Sequence, residues 1–277
     1  MNGPGPGTPE DSGARPDRSL LRQVALPSEH GGWAFLAEPI ALGLLVAFSV
    51  EGLFIALAAI AAFLAHRPLR LLVSDRLERK RHPRTPLAER ALAGYALLGV
   101  FALAAALSSS GRAVLVTLGL GAPFAVAALV FDLRQHSREL AAEVGGALAF
   151  VPVATGIALA GGWSLGPALG LALILAARTV PSILYVRARL RLERSRPADL
   201  AAALAAHVAG IALAIVLASF GLAPWLGAAA LALLGLRAAY GLSARRPVVS
   251  VPQLGVSETV FGAVTILAVA AGVAWGV

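Results

Sequence analysis

The sequence predicts an all-α membrane protein whose chain crosses the bilayer nine times. Three observations predict it. Of the 277 residues, 58% are hydrophobic and only 14% are charged, far below the charged share of about 25% in a soluble domain, and mean hydropathy is +0.79. The apolar residues come in repeated continuous runs of about 20, enough for a helix to span the hydrocarbon core; the strands of a membrane barrel would alternate instead. Twenty-two of the 23 basic residues then fall in alternate loops or in the span ends that adjoin them.

In chain order, residues 1–23 are rich in Gly and Pro and are expected to form a disordered tail ahead of a single membrane domain at 24–277. They contain no cleavable signal peptide, so the first span is itself the targeting signal. The nine spans are 33–50, 52–73, 90–109, 112–131, 140–161, 164–186, 198–220, 222–241 and 256–276. A tight joint is expected around Glu51 and Gly52. Repeated Gly and Ala within the spans suit close helix packing. Basic residues cluster before span one, after spans two, four and six, and around the end of span eight; Arg112 alone lies on the other side. The positive-inside rule then places the N-terminus in the cytoplasm and the C-terminus outside, in a multi-pass protein of the bacterial cytoplasmic (inner) membrane. The same rule accounts for the net charge of +8 without nucleic acid as a partner; membrane lipids are the partners expected. There is no Cys, which excludes disulfides, thiolate metal sites and thiol nucleophiles.

A charged side chain inside a span costs a few kcal/mol, roughly 2.5–3.5 on insertion scales, so each needs a reason. His30 and Glu38 share a helix face in PSEHGGWAFLAEP, with Glu38 nearly two turns deeper. Trp33 between them reads as a membrane-belt anchor. The stretch 66–90 holds eight basic residues. Its outer part, Arg79 to Arg84, orients the protein and meets headgroups. Arg67 and Arg70, at helical spacing, can grip an anion with guanidinium forks, with Asp75 beside them.

Asp132, His136, Glu139 and Glu143 recur on one helical face, a weak metal signature that Arg134 and Arg138 largely neutralise. Glu143 lies inside span five. Span six carries the polar stripe Arg178, Pro181, Ser182, Tyr185 and Arg189. Arg178 lies about two turns inside the membrane, too deep to snorkel with ease, and asks for an internal anion or carboxylate. His207 reads as a packing histidine. Glu258, at the start of span nine, is a candidate partner for Arg178 or for an arginine of span two.

LPSEHGGWAFLAEPIALGL, HRPLRLLVSDRLERKRHPRTPLA and SILYVRARLR resemble the YwiC-like family of bacterial membrane proteins, from about residue 24 to near the end of the chain. More distantly, the chain is similar to the UbiA-type membrane prenyltransferases. Those have nine helices, with Asp-rich motifs after helices two and six. Here the two most basic segments follow spans two and six. Asp75-Arg76 with Arg81, Pro83 and Arg84 resembles the end of the first UbiA motif, and VFDLRQHSRELAAEVGGALAFVP resembles the UbiA segment between helices four and five. The resemblance implies a UbiA-like bundle and a transferase acting on a prenyl or lipid (di)phosphate. In UbiA enzymes the aspartates hold magnesium, which grips the diphosphate. This chain has Arg67, Pro68 and Leu71 at the other positions of the first motif. Arg178, Ser182, Tyr185 and Arg187 occupy the region of the second. The metal-ligand set is thus missing and the cofactor stays open, but arginine can bind phosphate directly.

The function expected is therefore a lipid-modifying enzyme that binds a phosphorylated isoprenoid or lipid in a cytoplasm-facing cavity. Arg67 and Arg70 would face Arg178 and Tyr185 across it. His30, Arg67, Arg70, Arg178, Ser182, Tyr185, Arg187 and Glu258 are the substrate-binding candidates. Asp75, Glu38 or Glu143 is the candidate base. Two other functions fit the same residues: a non-catalytic lipid-binding or scaffold protein, and a transporter of small anions.

Overall fold

The computed structural model describes residues 24–26, 30–134 and 139–277. The tail at 1–23 and His136 lie outside them. So does the side chain of His30, although its backbone begins the first helix. The described residues form helices and contain no strand. In chain order these are α1 (His30–Val46), α2 (Val50–Leu77), α3 (Thr85–Leu133), α4 (Leu140–Leu148), α5 (Pro152–Ala160), α6 (Leu165–Glu193), α7 (Leu200–Ser219), α8 (Trp225–Leu242) and α9 (Val251–Trp275). Seven helical stretches are long and apolar enough to cross a membrane, with α4 and α5 together making one of them, and the apolar stretch Gly32–Val46 of α1 is shorter.

The joint between α1 and α2 falls at residues 47–49, slightly before the expected Glu51–Gly52. The cause is Ser49, whose hydroxyl accepts the backbone N–H of Gly52 at 3.0 Å and caps α2. Helix α3 runs through Ser110, where φ is −142° and ψ is 49°. The chain doubles back there. At one end, Arg84 and Thr85 bond to Asp75 of α2; at the other, Asp132 meets His66, also in the second half of α2. Ala106 and Val114, on either side of the reversal, both pack in one cluster with Ile55 and Ala56 of α2. The two halves of α3 are thus the arms of a helical hairpin.

The expected span 140–161 is broken at residues 149–151. Pro152 opens α5 and has no N–H to carry a ladder across the break. Phe150 sits in the break and packs edge-on against Phe63, which in turn meets Trp33.

Helix α5 is the centre of the packing, buried from Pro152 to Ala158. Val153 and Ile157 join the cluster of α2 and α3. Ala154 and Ala158 join a larger one with Leu42 of α1, Leu171 and Ile174 of α6, Leu217 of α7, Leu231 and Leu234 of α8, and Val269 of α9. Two groups of helices therefore meet along α5. Side chains such as Leu97, Val208, Leu236 and Leu267 point outward, 61–73% exposed, as lipid-facing residues do in a bundle whose backbone polar groups are satisfied internally.

Candidate functional site

Two polar centres lie within this bundle. The first is the end of a cavity of about 860 Å³ enclosed by α1, α2, both arms of α3, α4 and the start of α5. That is toward the upper end of the range of small-molecule sites, roughly 300–1,000 Å³. Its walls are apolar, including Phe35, Ile55, Leu103, Val114 and Phe150. The polar lining gathers His66, Arg67, Arg70, Asp132 and Glu143. His66 and Arg70 are one helical turn apart on α2 and share a face. Asp132 crosses from α3, placing Oδ2 2.8 Å from His66 Nε2 and Oδ1 3.9 Å from Arg70 Nη1. Glu143 Oε2 lies 2.8 Å from Arg187 Nη1 of α6.

The second centre is a buried chain of charges linking α1, α6, α8 and α9. Arg178 Nη1 meets Glu38 Oε2 at 2.8 Å, and both residues are buried. Arg178 Nη2 also donates to the Glu258 carbonyl at 3.0 Å. The Glu258 carboxylate takes Arg237 Nη1 at 2.6 Å. The Arg237 guanidinium lies 4.2 Å over the Tyr185 ring and 4.6 Å over the Phe261 ring, a cation held against two aromatic faces. Gly262 lets α9 pass this close: a Cβ there would lie 2.7 Å from Arg178 Nη2. Ser182 is buried on the same helix as Arg178, and among the described residues its hydroxyl has no hydrogen-bond partner.

The expected site residues therefore divide. Arg67, Arg70 and Glu143 line the cavity, with Arg187 bonded to Glu143. Glu38, Arg178, Tyr185 and Glu258 belong to the buried chain, with Ser182 nearby, and none of these five lines the cavity. Arg67 and Arg70 thus do not face Arg178 and Tyr185 across one space. Asp75 belongs to neither centre. It is 3% exposed, accepts Thr85 Oγ1 at 2.6 Å and Arg84 Nη2 at 3.1 Å, and fastens the turn from α2 to α3.

His66, Asp132 as its partner, and Arg237 were not singled out from sequence. Arg237 stands inside the ninth candidate's neighbour, span eight, so the expense of an intramembrane charge was the signal that marks it. Nothing local pairs His66 with Asp132, which the hairpin of α3 brings together. Among the described residues no three His, Asp or Glu side chains gather to hold a metal ion. Asp132 and Glu143 are each engaged by a basic side chain. This donor set does not fit the magnesium–diphosphate site that UbiA enzymes build from aspartates.

Apolar helices of this length, with charges paired inside, define a multi-pass helical membrane protein. A model of the YwiC-like protein family matches residues 26–151, and over that stretch the chain is similar to that family. The match takes in nearly every residue of the cavity and ends before α6, so the segment SILYVRARLR lies outside it. Comparisons with curated proteins and with solved structures found no match.

Proposed function

We propose that the protein binds a phosphorylated isoprenoid or similar single-chain lipid, with its tail in the cavity and its anionic head at His66, Arg67 and Arg70. The observation that carries this is the cavity: apolar walls ending in a cluster that includes two arginines and a histidine. Apolar walls with a few convergent polar groups are the usual form of a ligand site, and guanidinium forks match phosphate oxygens. The molecule crosses a bacterial cytoplasmic membrane nine times, with the N-terminus and the head-group end of the cavity on the cytoplasmic side. The two arms of α3 and the short α1 supply the two crossings beyond the seven long stretches. The similarity of 75–84 and 130–152 to UbiA segments supports a transferase acting on the lipid (di)phosphate, with arginine doing the gripping that magnesium does in UbiA enzymes.

Mass spectrometry of lipids copurifying with the protein tests this. A single-chain lipid phosphate is expected with the native chain, and at least tenfold less with the Arg67→Ala, Arg70→Ala double variant. Equal lipid in both would remove the proposal. The chain of buried charges supports a second function, passage of a small anion past Arg178 and Arg237. Liposome flux abolished by Glu38→Gln, with no bound lipid, would favour it.

A further inference from the structure

We infer that His66 is the catalytic nucleophile of this site and that the bond it breaks is the phosphoanhydride of a lipid diphosphate. The inference rests on the lipid-phosphate binding proposed above and gives that site phosphoryl transfer to water in place of prenyl transfer.

His66, Arg67 and Arg70 come from one turn of α2 and line the cavity together. Asp132 sits 2.8 Å from His66 Nε2. A carboxylate there keeps the ring proton on Nε2 and leaves the lone pair on Nδ1. Exposure divides the roles. The His66 side chain is 48% exposed and the Asp132 side chain 10%. The imidazole is open to a ligand and the orienting acid is sheltered, the arrangement that activates a nucleophile. A lipid lying tail-inward along the apolar walls brings its head to this end. Arg67 and Arg70 are then placed to neutralise the charge that spreads over a transferring phosphoryl group.

The leaving group decides between lipid phosphates. A monophosphate would have to expel a lipid alkoxide, which needs a proton from a nearby acid. The other carboxyl group lining this end, Glu143, is taken up at 2.8 Å by the Arg187 guanidinium. A diphosphate expels a lipid monophosphate, which leaves as an anion and needs no proton. In the first step Nδ1 forms a bond to the terminal phosphorus while the bond from that phosphorus to the bridging oxygen breaks. Lipid monophosphate departs with the bonding pair. Asp132 stabilises the imidazolium that results. In the second step water attacks the phosphorus, the P–N bond breaks, and its electron pair returns to Nδ1. Orthophosphate carries away the oxygen and both protons of the water. Asp132 acts through His66 and is a positioning residue.

The test uses the full chain in nanodiscs with farnesyl diphosphate labelled in its terminal phosphate. Farnesyl monophosphate and orthophosphate are expected as products, with ¹⁸O from water in the orthophosphate. A denaturing quench should trap an acid-labile phosphoprotein. His66→Gln, on an accessible helix face, should still bind the probe through Arg67 and Arg70 while release falls ~10³-fold, as when a covalent nucleophile is removed. Asp132→Asn should slow phosphoprotein formation with binding unchanged, and Asp132→Glu should restore part of the rate. Probe bound without release, release persisting in His66→Gln, or ¹⁸O recovered in farnesol would each overturn the nucleophile assignment and leave the lipid-phosphate function standing. Failure of the native chain to bind the probe, or binding undiminished in the Arg67→Ala, Arg70→Ala double variant, would overturn both.

Discussion

Arg178 and Glu38 are both buried, 3% and 6% exposed, with their charges 2.8 Å apart between α1 and α6. Taking both charges out of water costs several kcal/mol per ion, and their attraction offsets this only while both are present. Removing one partner alone should therefore be the worst change. Glu38→Gln or Arg178→Met is expected to destabilise the protein by about 3–5 kcal/mol, and the double change Glu38→Gln, Arg178→Met by less than the larger single. Thermal unfolding in detergent checks this; additive losses would mean that the two side chains do not act as a pair. The demand for a partner was legible in the sequence, because a lone charge in an apolar run needs one. Which residue would answer it was not. Nothing local tells Arg178 to choose Glu38 over the Glu258 carboxylate, which instead takes Arg237. Asp75 shows the opposite case. Its local pattern resembled the end of a metal-binding motif. Its carboxylate instead closes the turn through Thr85 and Arg84, both within ten residues of it in sequence.

At the scale of elements, the hairpin of α3 does most to shape the cavity. Both arms line it, and only their return brings Asp132 to His66. The boundary was legible in SSSGR, a short polar run between apolar stretches, although among the described residues of α3 only Ser110 departs from helical φ and ψ. The absence of cysteine makes the topology easy to probe. A Cys placed at Ser110 should react with an impermeant maleimide only from outside intact cells, and one at Arg79 only after the cytoplasmic face is opened. Both reacting from the same side would rule out nine crossings. The break between α4 and α5 was less legible. Ala149, Phe150 and Val151 are as apolar as their neighbours, so hydropathy runs through the break unchanged, and Pro152 alone marks it.

At the scale of the molecule, the helical class and the multi-pass character followed from composition and run length, which record the solvent and need no tertiary information. The separation of two polar centres did not. Periodicity says which residues share a helix face, but not which space the face adjoins. Arg67, Arg70 and Arg178 consequently looked like parts of one pocket, while the structure seats them on opposite sides of the packing seam along α5.

That seam bears on how the protein is made. Every residue lining the cavity lies between Gly32 and Val153, so its walls have all been synthesised before α6 leaves the ribosome. Glu38 belongs to the same early part of the chain, yet its cationic partner is Arg178. Until that arginine is synthesised, the acid of α1 lacks the cation it meets in the finished bundle. The ion pair therefore ties the part of the chain that builds the cavity to a helix that is synthesised after it.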